Sequence, residues 1–207
     1  MTSDKLRRYT DLASVLRMLR ERAMTLLPPS NWDDRNDRNL MAAYQRGANR
    51  KTVLALCFAQ AEETYHHWKV FSSGKDGICV VFDKRMLEAE IKQEGVRYAP
   101  VKYFTLKELR ASEPPLNELP FSKRSAYKDE QEYRILFESD QEDLLSKDVL
   151  FPVAAIDRIL VNPWLPLSLV EAVKNTIHEI PGLAKLKVTQ STVIDAPAWR
   201  QLANRHT

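Results

Sequence analysis

Glycine is scarce in this chain. Five occur in 207 residues, and none falls into a G-x-G-x-x-G or P-loop spacing, which excludes the two commonest glycine-rich cradles for a nucleotide phosphate. Cysteine is scarcer still. Cys57 and Cys79 each sit in an apolar run and read as reduced, buried thiols of a cytosolic protein, and a disulfide between them requires their strands to be neighbours. Long apolar runs are missing: no window approaches the ~20 residues that span a bilayer. The opening "MTSDKLRRYT" has no apolar signal segment. The expectation is a cytoplasmic protein with no membrane partner. Only four histidines are present. His66 and His67 are adjacent, neighbouring side chains point apart, and no cysteine or carboxylate stands at matching spacing, so no metal site is expected. G-x-S-x-G is also absent, which removes the hydrolase nucleophile elbow.

What is present is ordinary in amount: 44% hydrophobic and 29% charged residues, net charge +3. The balance allows a phosphate-bearing partner without demanding one. Arg7, Arg8, Arg17, Arg20 and Arg22 make the start of the chain basic, and "DDRNDRN" answers with alternating signs. Solvated faces explain both, so nucleic acid is only weakly supported. The length suggests one domain over residues 1–207.

"YTDLASVLRMLRERAMTLL" has the 3.6-residue period of a helix, with Thr10 or Asp11 as its cap. A polar loop, "PPSNWDDRNDRN", follows, then a short helix over "LMAAYQRGANRK". "VLALCFA" and "GICVVFD" are buried strands, and "DKRMLEAEIKQEG" is an amphipathic helix capped by Asp83. "VRYAPVKYF" is a strand pattern interrupted by Pro100, hence an edge strand or a bend. "SEPPLNELPFSKRSAYKDEQ" is a long connection, followed by strands "EYRILFES" and "IDRILV". "PLSLVEAVKNTIHEIPG" is a helix with a Ser168/Glu171 capping box, and "LKVTQSTVI" is a final strand. Strands neither alternate regularly with helices nor come only as hairpins, which argues for an α+β fold.

Two stretches carry candidate chemistry. In "YKDEQEYRILFES", Glu130 and Glu132 stand two apart at the start of a strand and project to one face there. Paired carboxylates repel, one pKa rises, and such pairs suit acid/base work or stabilisation of a developing cation. The plain alternative is a solvated strand start neutralised by Arg134. In "TYHHWKVFSSGKDG", Tyr65, Trp68 and Phe71 either line a pocket that stacks a planar ring or pack a short helix into the core.

Taken in order, these pieces resemble a bacterial family catalogued as domain-of-unknown-function family 2971. "VLALCFAQAEETYHHWKVFSSGKDGICVVFD" is similar to its "v-x-C-F-S-E … M-W-x-x-Y-a … G-v-C-i-g-F", and "YKDEQEYRILF" to its "y-x-x-E-x-E-Y-R-i". The layout in turn resembles the ADP-ribosyltransferase superfamily. That resemblance implies a mixed, mostly antiparallel split sheet with an N-terminal helix and flanking helices. It puts Arg8 at the dinucleotide-holding position, Ala59 where relatives carry serine, and Glu132, with Glu130 beside it, at the catalytic carboxylate. Tyr65, Trp68 and Phe71 become the ring pocket and NAD the candidate substrate. Because Ala59 lacks the hydroxyl, the function implied is a degenerate nucleotide-binding module. The alternative is an active NAD-dependent ADP-ribosyltransferase or NAD glycohydrolase in a toxin or phage-defence setting, with a nucleotide or macromolecular target.

Overall fold

The computed structural model describes residues 4–72 and 74–205. In chain order the elements are β1 (Lys5–Asp11), α1 (Leu12–Glu21), β2 (Ala23–Leu26), α2 (Arg35–Gly47), β3 (Thr52–Ala59), α3 (Tyr65–Phe71), β4 (Gly77–Asp83), α4 (Lys84–Glu90), β5 (Val96–Pro100), β6 (Lys102–Phe104), α5 (Leu106–Ala111), β7 (Ser122–Arg124), β8 (Glu132–Ser139), β9 (Lys147–Leu150), β10 (Ile156–Val161), α6 (Leu167–His178), β11 (Val188–Gln190) and α7 (Pro197–Asn204). Short 3₁₀ turns at Pro29–Asn31, Leu116–Phe121, Ser125–Glu130 and Val153–Ala155 fill the connections. The architecture is α+β, as the element order implied, with a mostly antiparallel sheet, as the resemblance implied.

Seven strands form the main sheet in the order β11-β10-β4-β1-β3-β8-β5. Only β10 and β11 run parallel within it. β1 pairs with β4 over its whole length, from Lys5↔Asp83 to Asp11↔Gly77. β3 pairs with β8 equally fully, from Thr52↔Ser139 to Ala59↔Glu132. Between these halves, β1 and β3 meet at one residue pair, Arg7↔Ala59, and then part. The sheet is therefore split, as the resemblance implied. Leu6, Phe58, Val80 and Ile159 face one side, where α1, α4 and α6 cover them with Val15, Leu87 and Val173. On the opposite face α2 packs Met41 and Tyr44 against Val53 and Leu136. There α3 packs Trp68 against Tyr9, Ala59 and Cys79. Cys57 and Cys79 are free thiols, on strands kept apart by β1. Among the described residues no helix is long and apolar enough to cross a membrane.

Several local expectations fail for identifiable reasons. The first helix covers only Leu12–Glu21, with Asp11 accepting the Ser14 N–H at 2.8 Å. Arg22 then turns left-handed at φ 53°, and Ala23–Leu26 pairs with β9 instead of continuing the helix. "RRYT" before it is strand β1. The second helix starts at Arg35, earlier than the apolar pattern implied, because Asp34 caps it through the Asn36 N–H at 2.9 Å. The Ser168/Glu171 box does not form: α6 begins at Leu167 after Pro166, so Ser168 lies inside the first turn. β9 and α7 were not anticipated; both are short, and α7 buries none of its residues.

Candidate ligand cleft at the split in the sheet

Where β1 and β3 diverge, a cleft of about 730 Å³ opens, a size typical of small-molecule sites. Its walls come from both halves of the sheet. β1 contributes Arg7, Arg8 and Tyr9, and β3 contributes Leu56, Cys57, Phe58 and Ala59. Trp32 and Asp37, Lys123, and the Glu130–Glu132 corner close it on the far side.

The register across the split brings three sequence positions into one row. Arg7 is paired with Ala59, and Ala59 with Glu132. Directly paired residues project to the same face. The first-strand basic residue in line with Ala59 and Glu132 is thus Arg7, one position before the expected Arg8. Arg7 is 2% exposed, donates to the Ala61 carbonyl at 2.9 Å and pairs with Glu62. Arg8 also lines the cleft. Its side chain donates to the Cys57 carbonyl at 3.2 Å, an oxygen of the β3 edge that faces the gap. Among the described residues, Arg8 makes no ion pair.

The opposite wall is densely paired. Arg134 is fully buried. Its Nε donates to Glu132 Oε1 at 2.7 Å and its Nη2 to Glu132 Oε2 at 3.0 Å. Its Nη1 donates to Asp37 Oδ1 at 3.1 Å and to the Pro120 carbonyl at 2.8 Å, and Nη2 also reaches Asp37. The guanidinium lies 4.8 Å from the centre of the Trp32 ring. Lys123 Nζ donates to Glu130 at 2.6 Å and to Glu132 Oε2 at 3.0 Å. The Glu132 N–H donates to the Tyr103 hydroxyl at 2.7 Å. A solvated strand start is therefore not what Glu132 and Arg134 are: both are buried, 5% and 0% exposed.

Glu130 is not on the strand. It ends a 3₁₀ turn, and Gln131, left-handed at φ 44°, separates it from β8. The two carboxylates converge through Lys123, not through strand alternation. Their pKa values diverge. For Glu132, burial works upward, but Arg134 and then Lys123 outweigh it and hold the group down at about 2. For Glu130, burial dominates over Lys123 and raises the carboxyl above its ordinary value. Burial and then Glu132 push the Cys57 thiol well up, which favours the thiol over the nucleophilic thiolate, although Cys57 is partly exposed on the cleft wall.

The expected ring pocket of Tyr65, Trp68 and Phe71 does not assemble. Only Phe71 lines the cleft. Trp68 is completely buried, set edge-on to Tyr9 at 5.3 Å, with its indole N–H on Glu63 at 2.6 Å. Tyr65 is 47% exposed and rests against Trp164. The cause is helical geometry: at 3.6 residues per turn, positions six apart lie about 120° apart around the axis. The packed-helix alternative describes Trp68 and Phe71, which pack into one cluster with Tyr9, while Tyr65 stays largely exposed. Reading the sequence missed Lys123 and Tyr103 as partners of the glutamates and Asp37 as a partner of Arg134 and Lys123. Asp37 and Lys123 stand in stretches that read as polar connections but fold into α2 and β7, and Tyr103 falls on β6; no periodicity marks any of the three as a partner of a distant charge.

Residues 67–135, a third of the chain, match the family model described as "Protein of unknown function (DUF2971)". No curated protein matches the chain in sequence. Among solved structures, Thermus sp. 2.9 DarT in complex with ADP-ribosylated ssDNA is similar at 10% identity, covering 92% of this chain and 97% of that one, with a TM-score of 0.48. The same protein in complex with NAD+ is similar at 13% identity, covering 91% and 95%, with a TM-score of 0.45.

Proposed function

We propose that the split-sheet cleft binds a nucleotide, with NAD as the first ligand to test, and that the chain is a binding module with little transferase turnover. The observation that carries this is the asymmetry of the walls. Arg8 stands on one side with no ion pair among the described residues and Asp11 as its nearest charge influence, available to a phosphate. Glu132 stands on the other, already held by Arg134 and Lys123. A general acid or base needs a pKa near the working pH, and a carboxyl held at about 2 serves only as a fixed anion. Two cations already offset that anion, which leaves it less field to lend to an oxocarbenium-like transition state. Ala59, in register with Glu132, supplies no hydroxyl to orient a ribose.

A small nucleotide suits the cleft better than a nucleic-acid strand. Asp11, Asp33, Asp34, Asp37, Asp76, Glu130 and Glu132 line it against Arg7, Arg8 and Lys123, and an acidic lining opposes a polyanion.

One observation favours active chemistry as a second reading. The raised pKa of Glu130 gives the cleft a carboxyl that exchanges protons nearer neutrality, which would suit an NAD glycohydrolase. Calorimetric titration with NAD, followed by chromatography for free nicotinamide, tests both readings. Binding heat without nicotinamide release supports the module, and release that disappears in Glu130→Gln supports the enzyme. No heat at millimolar NAD overturns the nucleotide reading.

A further inference from the structure

Away from the cleft, another cavity of about 520 Å³ lies where α1 and α6 both end. It shares no lining residue with the cleft. Arg20 and Arg22 line it from the end of α1, and Thr176, Glu179, Ile180 and Pro181 from the end of α6. Thr176, Glu179 and Ile180 stand three and four residues apart, so one helical face supplies them. Arg20 is exposed on the last turn of α1. Arg22 is half-buried and left-handed at φ 53°, a conformation that residues other than glycine seldom take. The reversal ends α1, and the Arg22 side chain reaches the turn after α6, where Nη2 donates to the Pro181 carbonyl.

That contact answers a carbonyl at the end of α6, a place that helix polarity makes partly negative. It leaves Nη1 over. Nη1 is sealed from solvent and has no hydrogen-bond partner among the described residues, and an unpaired charged donor is costly. Glu179 does not supply the partner. Among the described residues Arg20, Arg22 and Glu179 form no ion pair, and the Thr176 hydroxyl makes no hydrogen bond. The cavity thus sets two guanidinium groups against a hydroxyl and a carboxylate, and these charges do not neutralise one another.

We propose, independently of the nucleotide reading above, that this cavity takes an oxyanion that carries a hydrogen-bond donor of its own, hydrogen phosphate being the simplest case. The Arg22 guanidinium turns toward the seated anion, which gives Nη1 its acceptor, and Arg20 closes on the anion from the solvent side. A guanidinium fork matches two oxygens of such a group. Glu179 repels an oxyanion that has only acceptors to offer. It accepts the P–O–H hydrogen of one that has a donor, and the Thr176 hydroxyl answers either kind of oxygen. Near neutral pH sulfate matches phosphate in shape and lacks that hydrogen, so Glu179 turns it away.

Two measurements on the full chain, in chloride buffer at constant ionic strength, test this. The first follows the side-chain ¹⁵N signals of the arginines during titration with phosphate and with sulfate. The second compares affinity for the two ions by calorimetry in wild type, Arg20→Gln, Arg22→Lys, Glu179→Gln and Arg8→Ala. Arg20 and Glu179 are exposed, so their variants keep the fold even where Arg22→Lys does not. The expected result is a shift of the Arg22 signals by phosphate and about tenfold weaker binding of sulfate. Arg20→Gln and Arg22→Lys should each lose phosphate affinity by about tenfold, the scale of one charge-assisted hydrogen bond. Glu179→Gln, whose amide also donates, should bring the two ions to similar affinity. Arg22 signals unmoved by phosphate, equal binding of sulfate in wild type, or unchanged phosphate affinity in Arg20→Gln each overturn the inference. Phosphate binding that vanishes only in Arg8→Ala also overturns it and puts the ion in the cleft, where it supports the nucleotide reading.

Discussion

The two walls of the cleft are built on opposite plans. On the β8 side, Glu132, Arg134, Asp37 and Lys123 hold one another in a buried network in which each charge has two or more partners. On the β1 side, Arg8 reaches across the gap with a single side-chain hydrogen bond to a backbone carbonyl. The first wall is over-determined and rigid, and its charges are spent on each other. The second keeps capacity in reserve. A site that binds without much chemistry needs little more than this: a fixed frame and a cation that forms no ion pair among the described residues.

The comparison can be broken most severely at Arg134. Arg134→Met leaves Asp37 and Glu132 buried without their cation, and a loss of about 3–5 kcal/mol is expected in urea unfolding. Acid unfolding probes the same wall with nearly as large an effect. The folded pKa of Glu132 lies at about 2, below its ordinary 4.5. Its stabilisation is therefore complete above pH 4.5 and disappears as the pH falls from there through 2, a contribution on the order of 3 kcal/mol. In Glu132→Gln that portion of the acid transition should be missing. On the other wall, Arg8→Ala should lower NAD affinity about tenfold, roughly 1.4 kcal/mol, with little change in unfolding midpoint. An equal loss of stability in Arg8→Ala and Arg134→Met would erase the distinction between the walls. The smallest expected effects sharpen it. Glu130→Gln should change stability by no more than about 1 kcal/mol, because the carboxylate it removes is disfavoured by burial. Ala59→Ser should be similarly mild in stability while raising nicotinamide release, since it places a hydroxyl in register with Glu132.

Much of the framework could be read directly from the residues. "VLALCFA", "GICVVFD", "EYRILFES" and "IDRILV" became β3, β4, β8 and β10, since continuous apolar strands leave no competing interpretation. β5 is an edge strand, one of the two outcomes that Pro100 allowed. Segments whose state depends on a distant partner were not readable. Ala23–Leu26 has helical-looking composition and becomes a strand because β9, far along the chain, pairs with it. The site followed the same division. Glu130, Glu132, Arg8 and Phe71 were picked out and do line the cleft. Their geometry was not foreseen, because Gln131 inverts the backbone between the glutamates and Lys123 reaches both from a proline-rich connection. Tyr65 and Trp68 were grouped by chemical type, while the turn of α3 sends them to different places.

The single pair Arg7↔Ala59 has a mechanical consequence. Every other neighbouring pair of strands in the seven-stranded sheet is laced by several residue pairs. Compliance should then concentrate at that one seam, beside which the cleft opens. A molecule touching Arg8 on one side and the Glu130–Lys123 corner on the other would act as a rivet across that seam. Occupancy should then be felt as stiffness along the whole of β1 and β3, in slower amide exchange at their free edges, well beyond the residues the molecule touches.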